Sequence, residues 1–187
     1  MTTLEEAAET EEDSTCLYVT VYHPSQAANK IFSELSFKHR YKLKAHHQVM
    51  FGRDCSICDF NLVDNRASRI QFALQFFRHF GSLEYGFEIK NLSKKTKLTV
   101  NNVELAYLNK ADLPGNCTVC FGDYQILLQK QGRPSEDYFE IQFELAKASL
   151  LEEKSLGSHL PVPEHGLACT ESPVEIDENE WGRSQKR

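Results

Sequence analysis

No stretch of this sequence approaches the ~18 uninterrupted apolar residues that a bilayer-spanning helix requires. No secretory leader is expected either: the first thirteen residues hold six acids (Glu5, Glu6, Glu9, Glu11, Glu12 and Asp13) and no base, where a leader is basic and then apolar. Together these absences predict a soluble, cytoplasmic protein with no membrane partner. Basic excess is also lacking. Net charge is −6, and once the N-terminal acids are set aside the other residues balance to zero, which argues against duplex nucleic acid as a partner. Enzyme signatures are equally scarce: no Gly-x-Ser-x-Gly, no P-loop and no His-Glu-x-x-His occurs. The expectation is a protein that is not an enzyme, with no catalytic residue and no cofactor.

What is present is one core's worth of apolar residues, at 41% of 187, enough for a single domain with flanking tails. Six cysteines without a leader read as reduced thiols. Two pairs, Cys55/Cys58 and Cys117/Cys120, have the spacing of zinc half-sites, so a zinc-stapled β-sandwich that binds peptides without phosphate is the alternative reading. Against zinc, Cys120 lies in Thr118-Val119-Cys120-Phe121, which reads as a strand and not as a knuckle. Buried or half-buried thiols and no metal are the expectation. His46-His47 lack a third ligand nearby and read as solvated.

From Cys16 the chain alternates, with Leu17, Val19 and Val21 on one face and Tyr18, Thr20 and Tyr22 on the other, until His23-Pro24. Residues 31–37 form a second candidate strand, and Lys38 to His47 reads as a basic loop with three histidines. Further short strands are predicted at 49–51, 58–62, 71–77, 87–89, 98–100, 117–121 and 124–128, with hairpin turns at Asn101-Asn102 and Gly122-Asp123. Tyr138 to Leu145 alternates cleanly, placing Phe139, Ile141, Phe143 and Leu145 inward, and Ala146 to Lys154 has room for one or two helical turns. Many short strands with almost no sustained helical periodicity predict an all-β sandwich.

Three segments between Val49 and Thr96 carry residues suited to one anion. Phe51-Gly52-Arg53 ends an apolar run, Ala67-Ser68-Arg69-Ile70 follows a turn, and Lys90-Asn91-Leu92-Ser93-Lys94-Lys95-Thr96 is a lysine-rich turn. On a sandwich whose loops gather at one end, Arg53, Ser68 and Lys90, Lys94 or Lys95 would converge on a phosphate. Gly52 would admit backbone closely, and Asn91 or Thr96 would hold a peptide's main chain.

These residues and their spacing resemble the forkhead-associated (FHA) domain, in which a Gly-Arg, a Ser-Arg and a polar loop hold a phosphothreonine. The resemblance implies an FHA-like β-sandwich over residues 16–147, with its motif core at 49–105. Two positions depart from the family pattern: Gln71 stands where a His follows the Ser-Arg, and Thr96-Lys97-Leu98 stands where Asn-Gly-Thr is usual.

Residues 1–15 and 148–187 are too polar to offset their ordering entropy and are expected to be disordered tails. The first holds Thr10 among acids; the second holds Pro173-Val174-Glu175-Ile176-Asp177-Glu178. With both tails included, the chain is similar to the FHA-bearing adaptors of innate-immune signalling that interact with TRAF ubiquitin ligases. That resemblance implies phosphorylation of Thr10 by an upstream alpha-type kinase, a dimer that grows into higher oligomers, and a TRAF-binding motif at Pro173, Glu175 and Glu178. It also implies NF-kappaB activation. Five residues between Thr10 and the first strand reach about 20 Å, too little to cross a strand length plus the sandwich's width, so binding in trans is expected.

Overall fold

The computed structural model describes residues 14–133 and 135–151. Thr10, Pro173, Glu175 and Glu178 lie outside the described residues. In chain order the elements are β1 (Cys16–Tyr22), a single-turn helix α1 (Gln26–Asn29), β2 (Arg40–Lys44), β3 (Gln48–Gly52), β4 (Phe60–Asn61), β5 (Phe72–Arg78) and β6 (Tyr85–Asn91). They continue as β7 (Leu98–Val100), β8 (Val103–Leu105), β9 (Lys110–Leu113), β10 (Asn116–Phe121), β11 (Tyr124–Gln131) and β12 (Tyr138–Leu145).

Two sheets form an FHA-like β-sandwich. One has the order β2-β12-β1-β11-β10-β7-β8, the other β4-β3-β5-β6-β9. Pairs β1/β12 and β3/β4 are parallel and the rest antiparallel. Period-two alternation explains the core: Leu17, Val19 and Val21 meet Phe139, Ile141 and Phe143 on one inner face, opposite Phe51, Phe72, Leu74, Phe87 and Ile89 on the other. Aromatic rings tie the layers together, with Phe60 edge-on to Phe143 at 4.6 Å and Phe76 against Phe139 at 5.2 Å.

Four local expectations are corrected. Residues 31–37 form no strand: 31–34 are turns, with Ile31, Phe32 and Leu35 buried at a spacing that a strand cannot direct to one face, and only Phe37 makes an isolated parallel bridge to Phe143. The basic segment after Lys38 contains strand β2, whose half-buried Tyr41 and Leu43 pack on the core while Arg40, Lys42 and Lys44 face out. Leu145, expected inward, is 47% exposed at the end of β12. No helix follows it in residues 146–151, where Gln125 Oε1 accepts from the Ser149 hydroxyl and the Leu150 N–H. Residues 152–154 lie outside the described residues.

The turns predicted at 101–102 and 122–123 are present. Asn101 and Asn102 both have positive φ (47° and 69°), the left-handed pair that a two-residue hairpin demands. β1 enters at Cys16, level with Gln131 and Glu140, and ends at Tyr22 beside the β10–β11 turn. Arg66 reaches Asp123 in that turn at 3.3 Å, so the loops around Arg66 gather at the Tyr22 end, and the chain enters at the opposite end.

Candidate functional site

β3 ends in Gly52 because backbone from another loop packs directly against its α-carbon. A Cβ there would sit 2.2 Å from the Arg69 carbonyl oxygen and 2.8 Å from its carbon. The same approach lets the Arg53 N–H donate to the Ser68 carbonyl (3.1 Å) and the Asp54 N–H to that of Arg69 (3.2 Å), locking the β3–β4 loop to the β4–β5 loop. Leu92 N–H donates to the Gln71 carbonyl at 3.1 Å and brings in the β6–β7 loop.

Between these three loops lies an open cavity of roughly 340 Å³. Five cations line it, Arg53, Arg66, Arg69, Lys94 and Lys95, with no carboxylate in the lining. Arg66 is paired with Asp64 (3.5 Å) and Asp123 (3.3 Å), and Lys94 Nζ sits 5.0 Å from the centre of the Tyr107 ring. Arg53, Arg69 and Lys95 have no ion-pair partner among the described residues. Asp54, next in sequence to Arg53, is occupied elsewhere: hydrogen bonds from the Ser56 hydroxyl and N–H hold its carboxyl below the usual range.

A hydroxyl chain forms the floor. Ser93 Oγ accepts from the Lys95 and Thr96 N–H groups (3.2 and 3.1 Å), which fills both of its acceptor positions. Its own proton must therefore be donated, and the shorter contact is to Ser68 Oγ, 2.7 Å against 3.1 Å to Thr96. With Ser68 Oγ accepting, the Ser68 hydrogen is left to turn toward the cavity. Gln71, fully buried, steadies this floor: its Oε1 accepts from the Ser68 N–H at 3.2 Å and from the Thr96 hydroxyl at 3.4 Å. Gln thus supplies hydrogen bonds at the position where the FHA pattern carries His.

Of the eight residues proposed from sequence, Arg53, Ser68, Lys94 and Lys95 line the cavity, and Gly52 lies behind it. Three are elsewhere. Lys90 stands on the outer face of β6, level with Ala73 and Lys110. Asn91 is buried, donating to the Leu105 carbonyl and accepting from the Ser93 N–H, so its amide shapes the loop from within. Thr96 lines a second, smaller cavity of roughly 80 Å³ with His23, Asp64, Gln71 and Tyr124. Arg66, Arg69, Ser93 and Tyr107 were missed. The two arginines flank Ala67-Ser68 and were visible as a basic cluster, whereas nothing in the local pattern marks Ser93 or Tyr107.

The thiol pairs do not converge. Cys117 and Cys120 are three positions apart on β10, hence on opposite faces, and Cys58 donates to the Arg69 carbonyl at 3.2 Å while Cys55 is exposed. No group of three metal-ligating side chains occurs among the described residues.

The FHA domain model matches residues 49–122, which span β3 to the β10–β11 turn and contain all three loops. Human TRAF-interacting protein with FHA domain-containing protein A is 48% identical over 185 residues, covering 96% of this chain and all of that protein. The chain belongs to the TRAF-interacting FHA-domain protein family. Its Xenopus tropicalis relative of the same name is 46% identical over 92% of the chain and 96% of that protein. A mouse family member, protein B, is 27% identical over 75% of the chain and 92% of its own length. The similarity to the A-type relatives runs well beyond the matched domain, across nearly the whole chain.

Proposed function

We propose that this chain is a non-enzymatic, cytoplasmic signalling adaptor whose cavity binds a phosphothreonine peptide. The observation that carries the reading is the charge of the cavity: five cations and no lining carboxylate, with the Ser68 hydroxyl beside them. A phosphate brings about −1.5 to −2 charges and three strong acceptor oxygens, which this arrangement complements. Arg53 and Arg69 donate charge-assisted hydrogen bonds, Ser68 adds its hydroxyl, and Lys94 and Lys95 close the open side. Two such bonds at roughly 1.5 to 3 kcal/mol each fall short of the ~8 kcal/mol of micromolar binding, so acidic residues flanking the phosphothreonine contribute the rest.

The ligand in this reading is phospho-Thr10 of another copy. β1 begins at the end of the sandwich away from the cavity, and the residues between Thr10 and Cys16 are too few to return to it. A tail-to-pocket contact between identical chains is heterologous and propagates into rings or filaments, and a resting dimer would offer two tails and two pockets. Oligomers then display many copies of the Pro173, Glu175 and Glu178 motif, and effective concentration converts weak single contacts into tight capture of a multimeric TRAF ubiquitin ligase. The relatives' name, which states TRAF interaction, supports that partner. An alpha-type kinase upstream and NF-kappaB activation downstream complete the reading.

Light scattering of the full chain before and after phosphorylation tests it. Growth into large oligomers is expected for wild type and not for Arg53→Ala or Thr10→Ala. Unchanged size on stoichiometric phosphorylation of Thr10, or growth that Arg53→Ala leaves intact, would remove this ligand from this cavity.

A further inference from the structure

Strand β2 is an edge: β12 lies on one side of it and no strand on the other among the described residues. Its outward side chains are all cations, Arg40, Lys42 and Lys44, while the inward Tyr41 and Leu43 pack on the core. The register also fixes where its backbone points. Ala45 N–H donates to the Asp137 carbonyl, and Glu140 N–H donates across β12's other side to Thr15. In an antiparallel ladder the bonded pairs alternate, so Leu43/Phe139 and Tyr41/Ile141 are bonded, and Arg40 and Lys42 turn their N–H and C=O groups to the open edge. Lys42 also rests 3.5 Å over the Tyr138 ring, and Arg40 makes a 3.4 Å pair with Glu140, which holds both side chains against the sheet. The acids on this face, Glu140 and Glu144, belong to β12; the edge strand itself carries only positive charge.

We infer that this edge docks the chain's own acidic N-terminal segment in the unphosphorylated state, residues 5–9 adding as a short strand beside β2. Charge is complementary, since residues 1–13 carry six acids and no base. Distance permits it. Ser14 and Thr15 still run along β1, the Thr15 carbonyl accepting from the Glu140 N–H, and Glu140 is level with Lys42, so residues 10–13 must cross three strand spacings, about 14 Å; the five Cα steps from Glu9 to Ser14 reach about 17 Å. Running in the same direction as β2, the segment brings Thr10 to the Lys44 end, from which the chain returns to β1. Backbone groups supply affinity and the cations select acid over other extended peptides. The contact needs no phosphate and stands whether or not the cavity takes phosphothreonine.

Amide hydrogen exchange on the full, unphosphorylated chain tests the docking. The Arg40 and Lys42 amides are expected to exchange roughly tenfold slower in wild type than in an E5Q/E6Q/E9Q/E11Q/E12Q variant, independently of protein concentration, with the difference lost at high salt. Lys44→Glu is expected to lose most of the same slowing. Val103, on the opposite edge strand of this sheet, serves as the control and should not change. Equal rates at Arg40 and Lys42 in both proteins would overturn the inference and leave the cations as guards against foreign strands. Slowing that appears only as concentration rises would overturn it too, by assigning the tail to a second copy.

Discussion

At Gly52 the missing side chain is what allows two loops to share backbone hydrogen bonds, and any Cβ would have to displace the Arg69 carbonyl. Gly52→Ala is therefore expected to destabilise the fold by roughly 1–3 kcal/mol, the range of overpacking, and to weaken phosphopeptide binding by moving Arg53 and Arg69. An unchanged urea midpoint would show that the loop yields freely. His23 offers a pH test. It is buried, and burial pushes its imidazole below the usual range, with Arg66 adding to the depression against the upward pull of Asp64. A histidine held neutral in the fold lets the unfolded chain bind more protons, so stability present above about pH 6.5 is lost as pH falls. His23→Gln is expected to flatten the urea midpoint between about pH 7 and 5.5; a slope equal to wild type would assign the effect elsewhere. Arg53 and Ser68 were legible in the sequence as members of the Gly-Arg and Ser-Arg pairs. The orientation of Asn91 was not, because an amide reads the same whether it faces a peptide or the inside of its own loop.

Among the elements, the β7–β8 hairpin shows how local chemistry sets register. Both turn residues are left-handed, and Asn101 also accepts the Thr118 N–H at 2.9 Å, fastening the hairpin to β10. Asn102→Ala is expected to cost about 1–2 kcal/mol, the penalty of a Cβ in that region, while Asn102→Gly stays near wild type. Equal stability of the two variants in urea would contradict the strain argument. β1 and β12 were readable because one face is apolar and the other polar. β2 was not, since four of its residues are exposed or half-exposed polar or aromatic side chains and its alternation is carried only by Tyr41 and Leu43. β8 and β9 were equally obscure: β8 is three residues with only Leu105 buried, and β9 alternates exposed Lys110 and Asp112 with half-buried Ala111 and Leu113 over just four residues, too short a run to mark a period.

For the whole molecule, the sandwich separates two charged features in space, with the cationic cavity at one end and the point where the acidic N-terminal sequence joins β1 at the other. In the proposed reading that separation makes the tail a ligand for a neighbour. Glu175→Ala is expected to leave phosphorylation-driven oligomers intact and to abolish capture of a TRAF, read by sizing and pull-down on one sample. Loss of the oligomers themselves would make the C-terminal tail part of the assembly and not a displayed motif.

The sequence by itself determined the fold class, the two tight hairpins, the inward faces of β1 and β12 up to Phe143, and the Gly-Arg and Ser-Arg pairs, because alternation, turn chemistry and short motifs are written within a few residues. Only the tertiary structure decided which cations share the cavity. Arg66, Arg69, Lys94 and Lys95 come from turns without a period, and whether their side chains meet depends on backbone hydrogen bonds between loops far apart in the chain. The hydroxyl chain is the same case: Ser93 is one of many serines until the loop folds over it, fills its acceptors and directs its proton to Ser68.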